Sequence, residues 1–380
     1  SRLPEYIKIE TEKDNFKKVE EFFKTNKYRT VITQDEIRAE KGYLRETGNL
    51  VFHLSLLGVL ISVGLGGALS YSGQRVLVEG ESFVNNEAGY DSLSPGLLFD
   101  TKSLTPFSLK LNSFITTYDY LNPTNYAKPI DFTAKVTTNL NGKKDDAVIK
   151  VNNPLMLPNA KVYLTGNGYA PDVVIKDKDK NIVFSGPVVF LPQDGNLTSL
   201  GVIKVPDAPT QFGIMAFFYP TVGQLETGAL TSTHPYPWNA LLSMNVFVGK
   251  LGLENGLNAN VFDLNTHAMK QVAGGKSGIK AIQVKPGETV ALPKELGTLE
   301  FRGLKRFASL DITYNPMELW VLVFALSTLF SLILMLIIPR RRIWVKKSSG
   351  FVEVAALAKS RDESLGKIVK EISEIVKKKS

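Results

Sequence analysis

The 380-residue chain holds no cysteine, three histidines and a formal net charge of +8, with 44% hydrophobic and 22% charged residues. The absence of cysteine excludes disulfides, zinc–thiolate sites, iron–sulfur ligation and CxxC redox chemistry within the chain. The positive excess lies beside two apolar blocks and in the C-terminal tail, so it reads as membrane topology and not as a nucleic-acid surface.

Residues 1–47 read as a small cytoplasmic juxtamembrane unit. The chain begins at Ser1 rather than Met, and Ser-Arg-Leu-Pro is not a signal peptide, so more chain is expected upstream. NFKKVEEFFKTN predicts a short amphipathic helix, and KYRTVITQDEIRAEKG a strand pair leading to the membrane. Residues 48–72 then predict a transmembrane helix. No Asp, Glu, Lys or Arg occurs between Glu46 and Arg75. Within that gap Leu50 to Tyr71 is long enough, at ~1.5 Å per residue, to cross a hydrocarbon core of ~30 Å.

His53 interrupts this apolar run, in GNLVFHLSLLGVL. An ionisable residue in a span is costly and is a functional candidate by default. Neutral imidazole suits axial ligation of haem iron; the other reading is a histidine that only hydrogen-bonds a neighbouring helix. On a helical wheel Asn49, Leu57, Leu60 and Gly64 share the face of His53. Gly58, Ser62 and Gly66 lie on a different face, at the spacing that lets helices approach closely. A lone anchor needs neither surface, so this helix is expected in a bundle.

Residues 73–316 predict a large, mainly-β extracytoplasmic domain, sandwich or barrel-like. FSLKLNSFITTYD and PIDFTAKVTTNLNGKKDDAVIKVNN alternate apolar with polar residues and turn at Asn-Gly. DVVIKDKDKNIVFSG repeats the pattern around a charged turn, while Pro206 to Pro237 is rich in aromatics and prolines and reads as irregular, packed chain. Residues 317–338 predict the second transmembrane helix, LWVLVFALSTLFSLILMLII with Trp320 and Trp344 at its two borders. Residues 339–380 read as a cytoplasmic basic tail, with FVEVAALAKSRDESLGKIVKEISEIVKKKS as one or two helices.

Basic residues fix the expected orientation. Arg29, Arg38, Lys41 and Arg45 precede the first span, and Arg340, Arg341, Arg342, Lys346 and Lys347 follow the second. Arg75 on the far side is followed by Glu79, Glu81, Glu87 and Asp91, although Arg302, Lys305 and Arg306 weaken the contrast. The rule that basic flanks stay inside puts both termini in the cytoplasm and the β domain outside the plasma membrane.

Catalytic signatures are thin. The chain has no GxSxG, no P-loop and no HExxH. The Lys-Ser pair in KSGIKAIQVKPGETV reads as structural, and Asn196-Leu-Thr matches a glycosylation acceptor by chance. His234 and His267 read as loop or surface histidines, with soft ligation as the other option.

Several segments in one order resemble a family. KGYLRETGNLVFHLSLLGVLISVG is similar to the signature span of the ResB (CcsB) cytochrome c biogenesis proteins. IKVNNPLMLPNAKVYLTGNGYAPDVVIKDKDKNIVFSGP resembles that family's VN-x-PL motif with its following strand, and MNVFVGKLGLENGLNANVFDLNTHAMKQV its GxLGL stretch. YNPMELWVLVFALSTL with PRRRIWVK resembles its last span and exit, and VEVAALAKSRD its closing helix. The resemblance implies a four-span protein, with two further N-terminal spans before Ser1. It implies an accessory, non-catalytic subunit that transports or transiently binds haem b and presents it to apocytochrome c with a CcsA-type haem-handling protein. A thioredoxin-like thiol-reducing protein and membrane lipid are the other implied partners, with no nucleic acid. His53 carries over as a haem axial ligand or haem-path residue, and Asn49 as a residue that supports it. His234 and His267 match no family motif and receive no role. A scaffold of the same machinery that never touches haem, or a membrane-tethered exported sensor or cell-wall enzyme, are the alternatives.

Overall fold

Periods of two and 3.6 in the sequence become strands and helices in the computed structural model, which describes residues 4–11, 15–252, 263–359 and 362–377. The chain forms two compact units, one from residues 1–67 with 316–380 and the other from residues 68–315. Four α-helices are present among the described residues: α1 (Phe16–Thr25), α2 (Leu44–Leu69), α3 (Glu318–Ile337) and α4 (Leu365–Lys377).

In the first unit both chain ends build one antiparallel sheet. Its strand order is Glu5–Glu10, Phe351–Ala358, Arg341–Ser348, Glu36–Lys41, Arg29–Ile32. Val19 and Phe23 of α1 and Leu365, Val369, Ile372 and Val376 of α4 recur at helical spacing and share one buried core with Ile37, Ile343, Val345 and Val354 of the sheet. The helix and strand pair expected in residues 15–41 are present. The helical expectation for the start of the tail, including the family's closing helix at VEVAALAKSRD, is corrected. Phe351–Ala358 is a strand, because Val352, Val354 and Ala356 bury one face at a period of two and neighbours pair on both edges. Helix begins only at Leu365.

Pairing of Arg341 with Lys41 brings the ends of α2 and α3 together. Gly42 has φ +94°, and a Cβ there would lie 2.2 Å from the Pro339 carbonyl oxygen, so only glycine fits this crossing. Arg340 is buried beside it, with Nη2 2.7 Å from Glu40 Oε2, Nε 3.2 Å from Glu46 Oε1 and the guanidinium 3.8 Å above the Tyr43 ring. This cluster ties both apolar helices to the sheet.

Both helices are long and apolar enough to cross a membrane. At 1.5 Å per residue they span ~39 Å and ~30 Å, matching or exceeding a hydrocarbon core.

In the second unit a seven-stranded antiparallel sheet is built on two long paired strands, Ala160–Lys176 and Gly297–Tyr314. A four-stranded sheet (Ser82–Val84, Ser108–Asp119, Lys128–Leu140, Lys143–Lys150) contributes Leu109, Leu111, Val136 and Ile149 to a core shared with Val162, Leu310 and Ile312 of the long strands. A six-stranded sheet that includes Ser199–Val205, Phe212–Tyr219 and Leu241–Val248 contributes Phe212, Phe218 and Met244 to a second core, shared with Tyr169, Ile175, Leu299 and Phe301. Side chains from two sheets thus fill each core, the arrangement of a sandwich. The Asn141-Gly142 turn has φ of 51° and 83°, the left-handed pair that a two-residue hairpin requires. Residues 253–262, which carry part of the GLENGLNANVFD resemblance, lie outside the described residues.

Candidate functional site

The two faces of α2 have different surroundings. Gly48, Ser55, Gly58, Ser62 and Gly66 are buried and recur on one side. A Cβ on Gly58 would meet the Phe324 ring of α3 at 2.6 Å, and one on Gly48 would lie 3.3 Å from the Ser331 carbonyl oxygen. The small residues therefore let α3 approach to ring-on-backbone distance. Two hydroxyls of α3 bond within their own helix, Thr328 Oγ1 to the Phe324 oxygen at 2.8 Å and Ser331 Oγ to the Ser327 oxygen at 2.5 Å.

His53 lies on the opposite side, exposed, together with Asn49, Leu57, Leu60 and Gly64. Gly64 has nothing within 4 Å of where a Cβ would stand. The Phe52 ring meets the imidazole edge-on at 5.3 Å. His53 Nδ1 lies 2.8 Å from the backbone oxygen of Asn49. A carbonyl can only accept, so Nδ1 carries the proton and Nε2 holds the lone pair. A histidine held in this way presents a metal-ready nitrogen away from its own helix. Asn49 supplies that contact through its main chain, while its side chain is exposed.

His234 reverses the arrangement. It is 6% exposed, in the loop after the short strand Leu230–Ser232. The Tyr236 main-chain N–H donates to His234 Nδ1 at 2.9 Å, so the neutral ring carries its proton on Nε2. Nε2 is buried without a hydrogen-bond partner, as is the Tyr118 hydroxyl. Burial pulls the imidazole pKa below its ordinary value. The ring stacks on Trp238 at 3.8 Å and lies nearly parallel to Tyr120 at 5.9 Å, with Tyr118 also at 5.9 Å. The aromatic residues of TTYDYLNPTNY and HPYPW, scattered in the sequence, thus converge on one histidine. Their density in both stretches was the available signal.

The remaining sequence features have structural surroundings. His267 is exposed, and its N–H donates to Asn265 Oδ1. Asn196 donates its side-chain amide to the Ser232 oxygen, and Ser277 Oγ donates to the Ile279 oxygen. Among the described residues no three His, Asp or Glu side chains converge as a metal cage.

A scan against family models matches the ResB-like family over residues 1–370, nearly the whole chain. The chain belongs to the ResB-like family. Membership is consistent with an accessory component of cytochrome c biogenesis associated with a membrane, and the two apolar helices agree with that setting. A comparison with curated proteins found no match.

Proposed function

We propose that this ResB-like chain is a membrane subunit of a cytochrome c assembly complex that holds or passes haem b and, with a CcsA-type partner, presents it to apocytochrome c outside the cytoplasm. The observation that carries the reading is the open face of α2. There His53 offers Nε2 as a lone-pair donor, with its proton held by the Asn49 carbonyl at 2.8 Å. Haem is the cargo, and His53 is the residue that would ligate its iron or line its path.

The helix pair buries the small face and leaves the His53 face for further helices, from upstream spans or from the partner. Basic flanks support an orientation with both termini in the cytoplasm and residues 73–316 outside. A thioredoxin-like protein would keep the apocytochrome thiols reduced, a task that a chain without cysteine cannot perform.

The test is maturation of a reporter cytochrome c in cells carrying His53→Ala or His53→Gln. Loss of holocytochrome in both variants, with the subunit still in the membrane, is the expected outcome. Full maturation with His53→Gln would favour a histidine that only packs the bundle.

A further inference from the structure

Tyr118, Tyr120 and Tyr126 come from the end of one strand and the turn after it, and they meet Tyr236 and Trp238 around His234. The arrangement combines two properties that seldom coincide. Its outer rings are open to solvent: Trp238 is 59% exposed, Tyr126 59%, Tyr236 48% and Tyr120 42%. Its centre holds two buried donors with no acceptor, His234 Nε2–H and the Tyr118 hydroxyl. A buried donor without a partner carries an uncompensated desolvation penalty, which an acceptor brought by a ligand would remove.

The loop is held in place from below. Tyr169 Oη donates to the Pro235 oxygen at 2.9 Å, Thr221 Oγ1 to the Tyr236 oxygen at 2.6 Å and Ser232 Oγ to the His234 oxygen at 2.9 Å. Three consecutive carbonyls are thus fixed by side chains, one of them from the core. The outer rings of Tyr120 and Trp238 lie against the imidazole and are themselves exposed.

We propose that this cluster is a binding site for a flat aromatic ring system bearing a carboxylate. The rings of Trp238 and Tyr120 stack on the ligand, and the carboxylate accepts from His234 Nε2–H and the Tyr118 hydroxyl. The tautomer decides the chemistry. With Nδ1 already accepting from Tyr236, Nε2 is a donor and not an iron ligand, so the site grips the acid edge of a molecule rather than a metal at its centre. The proposal deepens the haem-handling reading and rests on it in one respect: a tetrapyrrole with propionate arms is the member of this class that haem delivery would supply.

The test uses the full chain in detergent with Trp320→Phe and Trp344→Phe, which leaves Trp238 as the sole tryptophan. Quenching of its emission is followed on titration with metal-free protoporphyrin IX and, separately, with its dimethyl ester. The free acid is expected to bind about tenfold more tightly than the ester, the loss of one charge-assisted hydrogen bond. His234→Ala should weaken acid binding about tenfold and reduce the preference to what the Tyr118 hydroxyl still supplies, and His234→Gln, which keeps a donor, should restore part of it. Equal binding of acid and ester overturns the proposal, as does quenching by micelle partition that ignores His234. His53→Ala separates the two sites: loss of the haem Soret band with porphyrin quenching intact affects only the reading at His53. Failure of the acid preference with the Soret band intact affects only this one.

Discussion

His53 and His234 hold their protons on opposite ring nitrogens, and in each case the cause is what Nδ1 faces. At His53 it faces a carbonyl oxygen of the preceding helical turn, which frees a lone pair at Nε2. At His234 it faces a main-chain N–H, which leaves a hydrogen at Nε2. Their settings are also reversed. The first histidine stands exposed on an apolar helix, where an ordinary side chain would be leucine. The second is buried beneath exposed aromatic rings. The lesson is that a histidine's chemistry is set by a neighbouring main-chain group, and neither group is visible in residue type.

The largest expected effect tests whether the two regions are independent. Phe301 is fully buried and packs edge-on against Phe218 in the core that also holds Tyr169. Phe301→Ala should cost ~3–5 kcal/mol and disorder the His234 loop, seen as loss of near-ultraviolet dichroism from its rings. A Soret band retained in that variant would keep the His53 region separate; joint loss would merge them.

Next come the two sides of α2. Gly58→Leu drives a side chain into the Phe324 ring and should destabilise the helix pair by ~1–3 kcal/mol, measured by thermal denaturation in detergent, with Phe324→Ala recovering part. Gly64→Leu on the His53 side should leave the isolated chain within ~0.5 kcal/mol of wild type, yet weaken co-purification with a partner subunit. Equal behaviour of the two would remove the distinction between a closed and an open face.

A smaller effect concerns pH. Burial lowers the His234 pKa from the ordinary 6.5, so between the folded value and 6.5 the unfolded chain binds the extra proton. Stability from this group is complete above 6.5 and is lost as pH falls through the depressed folded value. The rings around it contribute only phenols and an indole, Tyr118, Tyr120, Tyr236 and Trp238. The melting temperature should therefore fall from about pH 7 to about pH 5, and fall less in His234→Gln. The smallest effect is expected from Asn49→Ala. The carbonyl that orients His53 survives that change, so the haem spectrum should match wild type.

Much of this was legible in the sequence, for physical reasons. Gly58, Ser62 and Gly66 predicted a close helix approach because small residues at a spacing of four have little other use in an apolar helix. The hairpin at Asn141-Gly142 was legible because few other residues tolerate its backbone. The strand at Phe351–Ala358 was not legible, since an alanine-rich segment between basic stretches has helical propensity until two neighbouring strands claim its edges. The joining of both chain ends in one sheet was not legible, because strand partners over three hundred residues apart leave no local trace. His53 stood out by its cost in an apolar run. His234 did not, because Tyr118 and Tyr120, which complete its surroundings beside the local Tyr236 and Trp238, are brought close only by the fold.

Whether His53 offers its Nε2 to haem iron is tested most directly by the absorption spectrum of the chain co-purified with the proposed CcsA-type partner. A Soret band is expected in the wild type, with weakening in His53→Ala and recovery on adding free imidazole. A band of unchanged position and intensity in His53→Ala would contradict it.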